Sequence, residues 1–196
     1  KTEEYLKVLK ELNLKLVKVI DTHIHADHVS GLNELSKRTK CVKIMGEQSK
    51  SEVIDIRVNE DDKIKIDQVE LKTIYTPGHT DCSYSFLMND RVFTGDTLLI
   101  NGTGRTDFQS GSAKIQYDSL FNKLLKLPEK TMVYPAHDYC GKKFSTIENE
   151  KNNNPRLQVS SVDQYIEIMN NLRLDNPKMM DVAVPANLKG LTLDQL

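Results

Sequence analysis

Apolar residues recur every three to four positions at the start of the chain. Tyr5, Leu6, Leu9 and Leu12 share one face and predict an amphipathic helix over 2–13. The pattern then becomes β-branched and almost continuous through Leu16-Val17-Lys18-Val19-Ile20, which reads as a buried strand over 15–20. A helix over about 29–38 follows, with Asp27 or Ser30 as its cap, and 41–45 reads as the next strand. Short apolar or alternating runs occupy 54–58, 63–66, 69–75, 84–88 and 92–94, separated by turn formers such as Asn59-Glu60-Asp61-Asp62 and Asn89-Asp90. A Gly-rich loop over 100–111 opens a helix over 113–125, whose apolar face carries Ile115, Leu120, Phe121, Leu124 and Leu125. Residues 131–134 form a further strand. From about residue 145 the chain reads as helical, most clearly over 163–172, and it loses regularity after Pro177. Strands interleaved with helices, with meander-like pairs in the middle, argue for an α/β sandwich rather than a simple doubly wound sheet.

Length, charge and cysteine usage narrow this picture. The 196 residues fit a single domain, 1–196, with its helical C-terminal portion. A net charge of −1 offers no electrostatic case for nucleic acid or an anionic membrane as partner. No apolar run approaches a membrane span, and nothing resembles a signal peptide. Cys41, Cys82 and Cys140 are odd in number and widely spaced, which points to a reducing compartment; Cys140 is the one near candidate chemistry. The chain opens at Lys1 without Met, as a processed or trimmed protein would.

The densest chemistry lies in Thr22-His23-Ile24-His25-Ala26-Asp27-His28, directly after the first strand. Three imidazoles and a carboxylate in six positions serve no packing purpose, because buried polar groups must be paired or bound to a cation. In an extended segment alternate residues point the same way, so His23, His25 and Asp27 are expected to converge while His28 faces elsewhere. Three more strand ends repeat the theme: His79 in Thr76-Pro77-Gly78-His79-Thr80, Asp96 in Phe93-Thr94-Gly95-Asp96, and His137 in Tyr134-Pro135-Ala136-His137-Asp138-Tyr139. Strand ends of α/β sheets are the usual place for a site.

In this order the motifs resemble those of the metallo-β-lactamase superfamily. Thr94 to Ile100, Gly104-Arg105-Thr106-Asp107-Phe108-Gln109, Tyr134 to Tyr139, Asn153-Asn154-Pro155-Arg156-Leu157 and Asp181 to Asn187 make the chain most similar to its persulfide (sulfur) dioxygenases. The resemblance implies a metallo-β-lactamase αβ/βα four-layer sandwich with metal at the sheet edge. It implies one Fe(II) per chain, held by His23, His79 and Asp96, with His25, Asp27, His28 and His137 as supporting residues or a vacant second site. A 2-His-1-carboxylate set leaves adjacent positions open for O2 and substrate. The implied reaction is oxidation of glutathione persulfide by O2 and water to glutathione and sulfite, with a possible link to a rhodanese and a possible homodimer. Arg105 is the candidate to orient an oxyanion, the alternative for it being an ion pair with Asp107 or Asp138. Tyr139 is the candidate hydrogen-bond donor, and Lys142, Lys143, Arg156 and Lys189 are candidates for the glutathione carboxylates. The compartment implied is the mitochondrial matrix for a eukaryotic chain and the cytoplasm otherwise. The rival assignment keeps all seven residues as ligands for two zinc ions in a glyoxalase II-like thioester hydrolase.

Three departures from the family pattern stand out. Thr103 occupies a position where many relatives have cysteine, and Ala186-Asn187-Leu188-Lys189-Gly190 lacks the cysteine that some carry. The fold is also expected to lack its first N-terminal strands, which would open one edge of a sheet and favour instability or association.

Overall fold

The computed structural model describes residues 1–139 and 141–196, so the expectation for Cys140 lies outside the described residues. The chain comprises two compact units, Lys1–Val58 with Asp175–Leu196, and Asn59–Leu174.

The first unit begins with helix α1 (Thr2–Glu11), whose first-turn Glu3 and Glu4 suit the positive end of the helix dipole. Strand β1 (Lys18–Ile20), helix α2 (Leu32–Thr39) and strand β2 (Val42–Gly46) form a βαβ unit, and β3 (Ile56–Val58) follows. The three strands are parallel in the order β1-β2-β3, with Lys18 opposite Val42 and Ile44 opposite Ile56. Leu32 and Leu35 of α2 are buried, as are Ile44 and Met45 of β2. Helix α1 ties to α2 through the Glu3–Arg38 ion pair and a 3.1 Å bond from Thr2 Oγ1 to Glu34. Neither Asp27 nor Ser30 is the N-cap of α2: Gly31 is, although Ser30 Oγ accepts from Leu32 N at 3.1 Å.

The second unit is built on a six-stranded sheet. Its strands are β4 (Lys63–Ile66), β5 (Val69–Tyr75), β6 (Tyr84–Leu87), β7 (Arg91–Gly95), β10 (Met132–Pro135) and β11 (Ser145–Thr146), and a small ribbon pairs β8 (Leu98–Leu99) with β9 (Gly102–Thr103). The sheet order is β11-β10-β7-β6-β5-β4, antiparallel throughout except that β10 runs parallel to β7. Helices α3 (Ala113–Asp118), α4 (Ile147–Asn153) and α5 (Val162–Asn170) supply the remaining core. Val92, Leu98, Leu120, Leu124, Val133, Ile147 and Tyr165 are fully buried within it.

Two differences from the sequence pattern have identifiable causes. The expected helix over 113–125 is α-helical only to Asp118; it continues as a π turn, Ser119–Lys123, and a 3₁₀ turn, Leu124–Lys126. Ser119 Oγ bonds the Pro77 carbonyl at 2.7 Å where the winding changes, an anchor that apolar periodicity does not register. The tail after Pro177, expected to be irregular, contains helix α6 (Met180–Lys189) in the first unit. Pro185 sits inside α6 and removes a helical N–H, and the apolar residues lack a one-sided stripe, so neither breaker rule nor periodicity reveals it. Buried Ala183 and Ala186 and a left-handed Gly190 at its end hold the helix.

Candidate metal centre

The topology of the second unit explains how residues far apart in sequence reach one edge of its sheet. β5, β7 and β10 run in the same direction, so the segments after Tyr75, Gly95 and Pro135 all leave at the same edge. These segments carry His79, Asp96 and His137. Local bonds fix the strand ends: Ala136 N donates to Gly95 O at 3.0 Å, and Thr97 Oγ1 donates to Thr76 O at 3.0 Å.

The side chains then gather. His79 Nε2 lies 3.5 Å and His137 Nε2 lies 3.6 Å from Asp96 Oδ2. Both separations exceed the usual length of a charge-assisted hydrogen bond and suit donors arranged around a common centre. His79 Nδ1 is 2.8 Å from the Arg105 carbonyl. A carbonyl can only accept, so Nδ1 carries the proton and Nε2 keeps a lone pair that a metal could use. Gly104 makes this approach possible: a Cβ there would stand 2.0 Å from Asp96 O and 2.9 Å from His79 Nδ1.

The loop after β1 in the first unit carries the other cluster. His23 is 1% exposed, and Thr22 Oγ1 lies 2.9 Å from its Nδ1. The ring of His25 lies between its neighbours, with centroids 4.3 Å from His23 and 4.4 Å from His28. One ligand atom each from His25, Asp27 and His28 falls within 4.8 Å of the others. His28 therefore lies with His25 and Asp27 rather than facing away, because bends through this segment break the alternation of an extended strand. Asp21, at the end of β1, is pushed up to about 6 by burial, partly offset by its bond from Ser30 and by His28.

The remaining candidates are placed as follows. Arg105 forks onto Asp107 with two 2.6 Å bonds, donates to the Leu174 carbonyl at 3.3 Å, and lies over the Phe108 ring. The fork holds the Asp107 carboxyl below the usual range. The ion-pair alternative for Arg105 is thus the contact observed. Tyr139 is 81% exposed, its ring parallel to that of His137 at 6.0 Å. Arg156 is half-buried and donates to the Thr103 carbonyl, so it braces the loop before Gly104; Lys142, Lys143 and Lys189 are exposed.

Sequence reasoning missed several residues that shape the site. Gln116 on α3 donates to Gly104 O at 3.1 Å and accepts from Tyr165 OH at 2.7 Å, and all of this is buried. Glu150 on α4 accepts from Asn101 N at 2.9 Å, which pins the start of the same loop. Asn187 on α6 bonds the backbone of the His25–Ser30 segment. Gln116 and Glu150 have no signal of their own, because a polar residue within a helix reads as surface, and Asn187 stands out in sequence only as the end of a family motif, not by any role.

The donor set fits a hard-to-borderline divalent metal: imidazoles, that of His79 held in one tautomer by the Arg105 carbonyl, beside a largely buried carboxylate.

Residues 1–137 match the profile of the metallo-beta-lactamase superfamily. The chain is 43% identical to the mouse mitochondrial persulfide dioxygenase ETHE1 over 186 residues, covering 93% of this chain and 72% of that protein. The crystal structure of ETHE1 from Myxococcus xanthus superposes with a TM-score of 0.94 at 43% identity, covering 97% of this chain and 84% of that one. A hydroxyacylglutathione hydrolase from Pelagibacter ubique is 32% identical over 169 residues, covering 83% of this chain and 69% of that protein. The chain has the metallo-β-lactamase fold. It belongs to the metallo-β-lactamase superfamily and, within it, to the persulfide dioxygenases.

Proposed function

We propose that this persulfide dioxygenase acts on glutathione persulfide, consuming O2 and water and releasing glutathione and sulfite, with one Fe(II) held by His23, His79 and Asp96. The observation that carries the reading is the likeness to ETHE1 proteins, sustained at 43% identity over 93% of the chain. The site chemistry agrees with it. Two imidazoles and one carboxylate are the ligand type that suits Fe(II). When bound, the ion supplies a redox centre with open positions where a soft sulfur and O2 can react.

The chain's own residues do the rest. The Arg105 carbonyl keeps the proton of His79 on Nδ1. Asp96 contributes the negative charge, and His137 stands beside it to support its orientation. His25, Asp27 and His28 support the loop that carries His23. Arg105, fixed by Asp107 and Phe108, is the candidate to meet the sulfur oxyanion as charge develops, and Tyr139 the candidate donor at the open side. A functional link to a rhodanese, a homodimer, and residence in the mitochondrial matrix (cytoplasm for a bacterial chain) belong to the same proposal. Among the described residues no helix is long and apolar enough to cross a membrane.

A second reading, a zinc-dependent thioester hydrolase, is favoured by one observation: His25, Asp27 and His28 form a further candidate ligand group. An oxygen electrode separates the two. Fe(II)-loaded protein given glutathione persulfide is expected to consume O2 and produce sulfite. Hydrolysis of a glutathione thioester without O2 uptake would reject the dioxygenase reading.

A further inference from the structure

We propose that Asn187 is a positioning residue for the metal centre, clamping the backbone of the His25–Ser30 segment from helix α6. The loop that follows β1 runs through bends rather than regular structure, so its main-chain polar groups have no ladder to satisfy them. Asn187 supplies three partners at once. Its Nδ2 donates to the carbonyls of His25 and His28, each at 2.9 Å, and its Oδ1 accepts from Ser30 N at 2.8 Å. Both amide hydrogens and the amide oxygen are engaged, a pattern that only a carboxamide can make. Aspartate has the shape without the donors, and glutamine places the same group one methylene too far.

The clamp is anchored on both sides. On the loop side, Ser30 Oγ donates to Asp21 Oδ2 at 2.6 Å and accepts from Leu32 N at 3.1 Å, which carries the fixed geometry into β1 and α2. On the helix side, Ser51 Oγ donates to Asn187 O at 3.1 Å and Glu52 N donates to Leu188 O at 2.8 Å. Asn33 Nδ2 bonds the Gly190 carbonyl, and Gly190 sits against Val53 so closely that a Cβ would approach it to 2.4 Å. The amide is therefore presented from a rigid base. It holds in place a segment in which the tilted rings of His25 and His28 stand 4.4 Å apart, His25 lies 4.3 Å from the ring of His23, and ligand atoms of His25, Asp27 and His28 fall within 4.8 Å of one another. Groups that crowd in this way separate unless the backbone constrains them, so the clamp organises the loop before any metal arrives. This inference rests on the reading that His23, on the same loop, is a metal ligand.

The test compares Asn187→Ala and the isosteric Asn187→Asp with Glu3→Gln, which weakens the α1–α2 ion pair to Arg38 and touches neither the loop nor α6. Fe(II) affinity is measured anaerobically on the full chain by competition with a chromogenic ferrous chelator. Amide hydrogen exchange is followed in the metal-free protein. Both Asn187 variants are expected to bind Fe(II) about 10- to 100-fold more weakly, the range for residues that orient ligands. They are also expected to exchange faster at 25–30, while Glu3→Gln keeps wild-type affinity. Wild-type affinity in the two Asn187 variants, whatever their melting temperatures, would overturn the proposal, as would an equal loss in Glu3→Gln. Failure of the wild type itself to bind Fe(II) would reject the iron reading instead, and is recognisable because it appears without any substitution.

Discussion

His79 shows how a single residue is prepared for the ligand role proposed for it. Its Nδ1 is spoken for by the Arg105 carbonyl, and the absence of a side chain at Gly104 lets that strand of chain come close enough. Gly104→Ala would drive a Cβ to 2.0 Å from the Asp96 carbonyl, so the backbone around both proposed ligands must shift. The substitution is expected to destabilise the fold by about 3 kcal/mol, at the upper end of overpacking effects, and to abolish metal uptake. Urea unfolding and metal analysis check both. Arg105 and Asp107 make a second prediction at this scale. The Asp107 carboxyl is depressed in the folded state, chiefly by its bonds from Arg105. Its contribution is therefore complete above the ordinary carboxylate range near ~4 and disappears as pH falls through the depressed value. The carboxylate is half-exposed, so Asp107→Asn should lose no more than ~1 kcal/mol at neutral pH. That difference from wild type should vanish in acid, as read by urea unfolding at both pH values. The side chains of Gly104 to Gln109 were legible as a motif. The role of Arg105's carbonyl was not, because every residue has one and only the fold decides where it points.

Elements α3, α4 and α5 meet on the loop that leads to Gly104. Gln116 and Tyr165 grip it from one side, and Glu150 grips it from the other. Glu150 is fully buried and accepts from Asn101 N, from Asn149 Nδ2 at 3.1 Å, from Asn154 Nδ2 at 2.8 Å and from Ser145 Oγ. A carboxylate surrounded by donors tolerates burial; an amide in its place turns one N–H₂ toward other donors. Glu150→Gln is expected to destabilise by about 1–3 kcal/mol. Calorimetry should then show a lower melting temperature by about 2–4 °C for each kcal/mol. At this scale the long strands were readable from their runs, since β5 and β7 carry continuous apolar or alternating patterns. The two-residue strands β8, β9 and β11 were not, because pairs that short have no periodicity. Helix α6 was hidden by Pro185, and its importance lies in contacts from Asn187 that hydropathy cannot show.

Across the whole molecule, family membership rests on motifs spread from His23 to Asn187, and those were readable before any coordinates. What the sequence left open was geometry. The common exit of His79, Asp96 and His137 follows from the parallel pairing of β10 with β7 and the double reversal through β6, a long-range property of strand order. The same order makes the proposed ligand set sensitive to loss of one member. Asp96→Ala removes the carboxylate between two imidazoles and is expected to eliminate bound metal while the sheet, held by β5, β6 and β7, persists in circular dichroism. The central claim is that three residues of this chain hold one iron for persulfide oxidation. Metal analysis of protein purified without added metal tests it most directly: about one iron per chain is predicted, as a single 2-His-1-carboxylate site requires, and about two zinc ions per chain would contradict it.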